Sequence, residues 1–280
     1  LAATAAQGEG RITPKELNLA LTGGARFDKT YDGNANVTQS LAKGTNYSLT
    51  GFITGEGTGI ELAAVTGKYA DKNAAADKAV TFGGLTLTGT GAANYMLNSP
   101  TLTGTGTIAR RALTLGAVAA QSKTYDGTTA ADASKFGAVL NNAVAGDSVT
   151  ATATGAAYND KNVTAANRID YTGVALAGAD AGNYTLAATA AQGAGSITHR
   201  TLTLTAAPQS IVQGEAVPSF TGRAEGFADG EDERVFGTDG ITFGTTLTNT
   251  DTPGSYGVTG RIGSTSDGVL GNYRIGQAAG

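Results

Sequence analysis

The sequence predicts a mainly β chain of tandem modules, each a small twisted sheet with one short helix, arranged as an elongated rod. Three observations carry this: motifs recur at a fixed 89-residue spacing, short stretches alternate apolar residues with Thr, and large side chains are scarce. Of 280 residues, 42 are Gly, 6% are aromatic and Trp is absent. Each core must therefore be thin, which suits several small sheets better than one large globule. Hydrophobic residues make up 40%, too many for a disordered chain.

The repeats give the organisation. LAATAAQGEGRIT at 1–13 nearly matches LAATAAQGAGSIT at 186–198, so residues 1–13 read as the last strand of a preceding repeat. The first full repeat, 14–109, holds DKTYDG at 28–33, YADKN at 69–73 and ANYML at 93–97. The second, 110–198, answers with SKTYDG at 122–127, YNDKN at 158–162 and GNYTL at 182–186. Tyr69 to Tyr158, Tyr95 to Tyr184 and Ile108 to Ile197 are each 89 residues apart, and Tyr184 to Tyr273 keeps the frame into a third repeat, 199–280. There the Tyr-Asp-Gly slot reads Gln213-Gly214-Glu215 and the YxDKN slot Leu247–Asp251. This divergent repeat is expected to lack its final strand or to borrow one. A period near 90 residues argues for strung domains; a β-solenoid would repeat every ~20–30 residues.

Within a repeat, Val149–Thr154, Leu85–Thr88 and Leu202–Thr205 alternate apolar residues with Thr, a half-buried strand pattern. Thr suits the exposed face because it is β-branched and polar. One segment per repeat reads otherwise. In Asp132–Asn142, Phe136, Val139 and Leu140 fall at i, i+3 and i+4 behind a cap at Asp132, predicting a short helix. Val37 with Leu41, and Asp229–Phe236, are weaker versions. Several strands and one short helix describe a β-grasp-like module with a minor α component.

The junctions are short. Ile12 to Leu17, Ile108 to Leu113 and Ile197 to Leu202 are each five residues, too few for a flexible tether. At ~3.3 Å per strand residue, each module would extend a semi-rigid rod by roughly 30–40 Å.

Composition narrows the function. Net charge is −4, with no basic cluster for nucleic acid and no polybasic amphipathic helix for a membrane surface. No stretch is long and apolar enough to be a membrane-spanning helix, so no direct membrane insertion is expected. Cys is absent, which removes disulfides, thiolate catalysis and Cys-ligated metals. The one histidine, His199, lies at a repeat junction without a partner for a triad or a zinc site. Gly55–Gly59 lacks the Lys-Ser/Thr of a phosphate loop. No catalytic, cofactor or metal residues are expected, and the chain reads as no enzyme.

The recurrent motifs read as fold landmarks. Tyr31-Asp32-Gly33 and Tyr125-Asp126-Gly127 each place an inward Tyr before a turn in which Gly supplies positive φ. The competing reading is an aromatic platform for a sugar. Tyr69 and Tyr158 open the YxDKN stretches, where Ca²⁺ on Asp71/Asn73 or Asp160/Asn162, or a Lys–Asn isopeptide bond, stands against a polar turn. Tyr95, Tyr184 and Tyr273 follow a turn Asn into a strand. Asp229–Glu233 reads as a solvated acidic face or a helix start.

KTYDG with the downstream YxDKN and GNYTL-type motifs resembles the YDG repeat of bacterial surface and secreted exoproteins. QGEAVPSFTGRAEGFADGE at 213–231 and TDTPGSYGVTG at 250–260 resemble the mostly β-grasp (MBG) module. Such modules occur in large filamentous-haemagglutinin-like adhesins, often exported by two-partner secretion. The resemblance implies an extracellular, outer-membrane-associated setting and supplies no catalytic residues. The expected function is a non-enzymatic stalk whose partners are neighbouring repeats of the same chain. The alternative is a module that binds a host glycan or cell-surface ligand through loop Tyr and Asn/Asp.

Overall fold

The computed structural model describes residues 8–238, 240–263 and 270–278. The chain forms two compact units. The first takes in the chain through Thr114 with Asn142–Thr150 and Leu176–Ala187; the second takes in Leu115–Asn141, Ala151–Ala175 and the chain from Ala188. These limits do not coincide with the repeats, because the first unit adds three pieces of the second repeat, 110–114, Asn142–Thr150 and Leu176–Ala187, to the whole of the first.

The first repeat carries β1 (Lys15–Leu21), β2 (Lys29–Thr30), β3 (Tyr47–Thr50), β4 (Glu61–Leu62), β5 (Lys68–Tyr69), β6 (Ala75–Gly83), β7 (Leu87–Thr88), β8 (Tyr95–Leu97) and β9 (Thr101–Ala109). β1 is central in one sheet, antiparallel to β3 and parallel to β8. Its alternation buries Leu17 and Leu19 on one face. The other sheet has the order β2-β9-β6-β5, with β2 parallel to β9 and the remaining pairs antiparallel. Phe27 and Phe82 pack with ring centroids 4.8 Å apart in its core.

The second repeat carries β10 (Arg111–Val118), β11 (Gln121–Thr124), β12 (Ala138–Asn141), β13 (Thr150–Thr152), β14 (Gly155–Tyr158), β15 (Arg168–Thr172), β16 (Ala175–Ala177), β17 (Tyr184–Leu186) and β18 (Ala190–Thr198). In the first unit β17 runs parallel to the start of β10, from Arg111↔Tyr184 to Leu113↔Leu186, as β8 does to β1. In the second unit the order β11-β18-β15-β14 repeats that of β2-β9-β6-β5. The third repeat carries β19 (Arg200–Ala206), β20 (Gly222–Glu225), β21 (Ile241–Thr245), β22 (Val258–Ile262) and β23 (Tyr273–Ala278). β19 lies between antiparallel β20 and parallel β23, and β21 pairs with β22. Among the described residues it has no counterpart of β9 or β18.

The mainly β, tandem reading holds; the helices differ. The helix expected over Asp132–Asn142 is a single 3₁₀ turn, Ala133–Lys135, capped by Asp132, which accepts from Ser134 N at 2.9 Å. Beyond it the chain straightens into β12, with Phe136 buried 4.7 Å from the Tyr171 ring and Val139 exposed. Gly137 follows the turn, and Ala138 and Leu140 share the better-buried face of a strand, a period of two that overrides three apolar residues at helical spacing. Val37–Leu41 holds no helix, and Asp229–Phe236 holds only the 3₁₀ turn Glu233–Phe236. Of the stretch expected as a preceding repeat's last strand, residues 1–7 lie outside the described residues. Residues 8–13 are exposed and form no strand. β9 and β18 each pair with neighbours on both sides, and residues 8–13 have none among the described residues.

One small device recurs. Single 3₁₀ turns at Ala92–Asn94, Ala181–Asn183 and Leu270–Asn272 each end on Asn, and Tyr then opens a strand. This turn delivers the side chains described next.

Candidate functional site: clasps at the recurrent tyrosines

The Lys of each Lys-Thr-Tyr-Asp-Gly stretch ties its own loop. Lys29 Nζ donates to Asp32 Oδ1 at 2.7 Å, Asn34 O at 2.8 Å and Asn36 O at 2.9 Å, and lies 5.5 Å from the Tyr69 ring centroid. Lys123 repeats this with Asp126 Oδ1 at 2.7 Å, Thr128 O and Ala130 O at 2.9 Å, and the Tyr158 ring at 5.3 Å. An ammonium with three partners and an aromatic face closes the loop without leaving a proton unpaired. Burial pushes the Asp32 carboxyl up, but the bonds from Lys29 and Asn34 outweigh it and hold it below the usual range.

The Tyr of the motif works outside its own repeat. In the first unit, Tyr31 Oη donates to Asp147 Oδ2 at 2.7 Å, and Tyr184 Oη donates to the same oxygen at 2.6 Å. Val144 N donates to Tyr184 Oη at 2.9 Å, and the two rings meet edge to face at 5.4 Å. Lys72 Nζ completes the cluster at 3.2 Å from Asp147 and 3.4 Å from Asp180. Beside it, Ala74 N donates to Asn183 Oδ1 at 2.8 Å, and Asn183 Nδ2 donates to Asn73 Oδ1 at 3.4 Å. Tyr31, Lys72 and Asn73 come from the first repeat; Asp147, Asn183 and Tyr184 come from the second.

The second unit builds the same clasp one repeat on. Tyr125 Oη donates to Glu231 Oε1 at 2.7 Å, Tyr273 Oη donates to Glu231 Oε2, and Ala228 N donates to Tyr273 Oη at 2.9 Å. The rings stand 5.5 Å apart at 76°. Val163 N donates to Asn272 Oδ1 and Asn272 Nδ2 to Asn162 Oδ1, both at 2.8 Å. Asn183 and Asn272 are only 5% and 1% exposed, and burial of an amide is tolerated where such bonds are made.

Gly in the motif serves this approach. Gly33 and Gly127 have φ of +83° and +77°. A Cβ on Gly33 would sit 2.7 Å from Val144 Cγ1, and one on Gly127 3.3 Å from Glu231 Oε1. The positive φ disfavours a side chain at both positions, and the neighbouring repeat adds a clash at Gly33 and a tight contact at Gly127.

Tyr31, Tyr69, Tyr95, Tyr125, Tyr158, Tyr184 and Tyr273 are all buried, so none offers a ring face to a sugar. Asp71 Oδ1 accepts from Asn73 N and from Lys78 Nζ, each at 2.7 Å, and Asp160 Oδ1 accepts from Asn162 N at 2.7 Å, closing polar turns. Lys72 Nζ is engaged by Asp147 and Asp180. His199 is exposed between β18 and β19.

The carboxylates at the centre of the clasps were not singled out by the sequence. Asp147 and Glu231 each sit three residues after the amide that donates to the Tyr, in a turn closed by Asp147 N to Val144 O at 3.2 Å and Glu231 N to Ala228 O at 3.0 Å. Their separations from the Tyr they bind, 37 and 42 residues, differ, which hides the pairing from a fixed-offset comparison. Glu231 belongs to the acidic run read as a solvated face.

Asp147 gives the first clasp a pH dependence. Burial pushes its carboxyl up, but the bonds from Tyr184, Tyr31 and Lys72 outweigh this and hold it below the usual carboxylate range. A lowered folded-state value stabilises above the unfolded value of about 4 and is lost as pH falls through it. Burial and the bond to Asp147 push Tyr184 up to about 12, so its contribution is lost only as pH rises past the ordinary Tyr value of about 10. Urea unfolding of the first unit is expected to weaken below about pH 4, and Asp147→Asn to flatten that slope. An unchanged slope in the variant counts against the clasp as its source.

The third repeat differs at the other end. Gln213 Nε2 donates to Asp251 O at 2.7 Å and Gly214 N to Thr250 O at 3.3 Å, so the two diverged slots still meet. Nearby opens a cavity of about 710 Å³, lined by Ala206, Pro208, Phe220, Leu247 and Tyr256 among others.

Comparison with protein-family models finds the YDG domain over residues 13–103 and 109–191 and the MBG domain (YGX type) over residues 202–280. No curated protein and no solved structure matches the chain.

Proposed function

The chain belongs to the YDG domain family, and from that premise we propose that it is a non-enzymatic spacer of a large secreted or cell-surface bacterial adhesin, holding a distal binding region away from the cell. The observation that carries this is the use made of the motif. Each Tyr-Asp-Gly tyrosine is committed to a carboxylate of the next repeat, and each following Asn-Tyr is bound from the other side. Side chains that could serve a ligand are thus consumed in joining repeats. The five-residue junctions are the ground for the proposed rod, with neighbouring repeats as the principal partners. The setting we propose is extracellular, at the outer-membrane surface, with export by a two-partner route.

Small-angle scattering tests the spacer. An elongated particle with roughly 30–40 Å per repeat is expected; a compact globule refutes it. One observation favours a second reading, a carbohydrate- or host-ligand-binding module: the third-repeat cavity with Pro208, Phe220 and Tyr256 on its walls. Specific signals on a glycan array that Tyr256→Ala removes would move the assignment to that reading.

A further inference from the structure

We propose that the first repeat presents an unfilled clasp, built from Ile53, Glu56, Asn94 and Tyr95, whose occupant is a further Tyr-Asp-Gly repeat placed N-terminal to it. The inference rests on the clasp geometry and not on the rod.

The half-clasp is already assembled. Tyr95 Oη donates to Glu56 and accepts from Ile53 N at 3.4 Å, and Glu56 N donates to Ile53 O at 2.9 Å. These are the positions of Tyr184, Asp147 and Val144, and of Tyr273, Glu231 and Ala228. What is missing is the incoming side: a second Tyr hydroxyl on the carboxylate, and an Asp-x-Asn turn on the Asn. Asn94, the counterpart of buried Asn183 and Asn272, is exposed, and its side chain makes no hydrogen bond among the described residues. Ile53 is 50% exposed, whereas Val144 lies against Gly33 and Ala228 against Gly127 of the repeat before.

The occupant follows from the neighbouring residues. Residues 8–13, Gly-Glu-Gly-Arg-Ile-Thr, match Gly-Ala-Gly-Ser-Ile-Thr at 193–198, the end of β18. Ile12 is 100% exposed, whereas Ile108 and Ile197 at its position are 1% and 3% exposed. Strand and clasp therefore lack the same thing, the body of a Tyr-Asp-Gly repeat. A second copy of this chain does not supply it. Its Tyr31 and Tyr125 hydroxyls are bound to Asp147 and Glu231, and its third repeat carries Gln213 in the tyrosine slot.

The test extends the chain by one repeat: residues 1–109 followed by 14–280, which preserves the five-residue spacing from Ile108 to the next Leu17. Asn94→Ala in the receiving copy is expected to lower the thermal midpoint of the extended chain. It should also speed hydrogen exchange of the added copy's Ala74 amide on the order of tenfold. In the 280-residue chain the same substitution is expected to change neither its midpoint nor its exchange. Equal behaviour in both chains, or an added repeat that stays unfolded, overturns the proposal. So does a dimer of the 280-residue chain that Asn94→Arg dissociates, since that makes a second copy the occupant. A compact scattering profile would defeat the rod and leave this exchange test standing.

Discussion

Asp147→Ala is expected to destabilise the first unit by about 3 kcal/mol, the larger of two effects argued from the clasps. The carboxylate is the acceptor for Tyr31 Oη and Tyr184 Oη and an ion-pair partner of Lys72. It is buried, so the two hydroxyls it leaves cannot turn to bulk water without opening the clasp. An orphaned buried donor costs about 1–3 kcal/mol, and loss of a partly desolvated ion pair adds to that. Tyr31→Phe should cost only about 1 kcal/mol, because Asp147 keeps Tyr184 and Lys72 and the edge-to-face ring contact survives. In Asp147→Ala, removal of the Tyr31 hydroxyl should then cost little, a coupling that a double-mutant cycle reads directly. The chain has two compact units, so a melting midpoint is read together with a local probe. Hydrogen exchange read at first-unit amides is expected to quicken by roughly a hundredfold in Asp147→Ala. A change under about 0.5 kcal/mol would falsify the claim that this carboxylate holds the repeats together.

Much of the architecture was legible in the sequence, and particular residues show why. The alternation of Leu17, Leu19 and Leu21 with polar neighbours marks β1, and the constant 89-residue offset places Tyr95, Tyr184 and Tyr273 at equivalent strand starts. Asp-Gly marks a turn because backbone conformation there is a local matter. What the clasps need is not local. Tyr31 and Asp147 are 116 residues apart, and Tyr125 and Glu231 are 106. The acceptor alternates between Asp and Glu within loops of unequal length, so no fixed offset exposes it. The helix expectation failed for a related reason. Phe136, Val139 and Leu140 satisfy helical spacing, but three positions do not fix a period, and the strand partner that decided the matter, β10, lies outside that local window. A signal for the clasp did exist: an acidic residue recurs in a loop about 40 residues before each Asn-Tyr, at Glu56, Asp147 and Glu231.

Asn272→Ala is expected to cost the second unit about 2 kcal/mol. The amide is 1% exposed, accepts from Val163 N and donates to Asn162 Oδ1. Ala removes both bonds and strands the part-buried Val163 N–H, a backbone donor that loses its partner. Asn272→Asp keeps the acceptor and the shape, but it brings a charge into a buried site and sets a second acceptor against Asn162 Oδ1. It should rescue little at pH 7 and more once acid neutralises the new carboxyl. The first repeat supplies an internal control, because Asn94 holds the same turn position while exposed. Chemical denaturation followed at second-unit amides should therefore show a large cost for Asn272→Ala and almost none for Asn94→Ala. Equal costs would mean that the Asn stabilises its own 3₁₀ turn, and the contact with the preceding repeat would then contribute nothing measurable. The expected inequality assigns the stabilisation to the meeting of two repeats. It also explains how a chain without Trp or Cys, with thin cores, keeps its modules in register: small polar groups are buried where consecutive repeats touch, and each is satisfied only by the other.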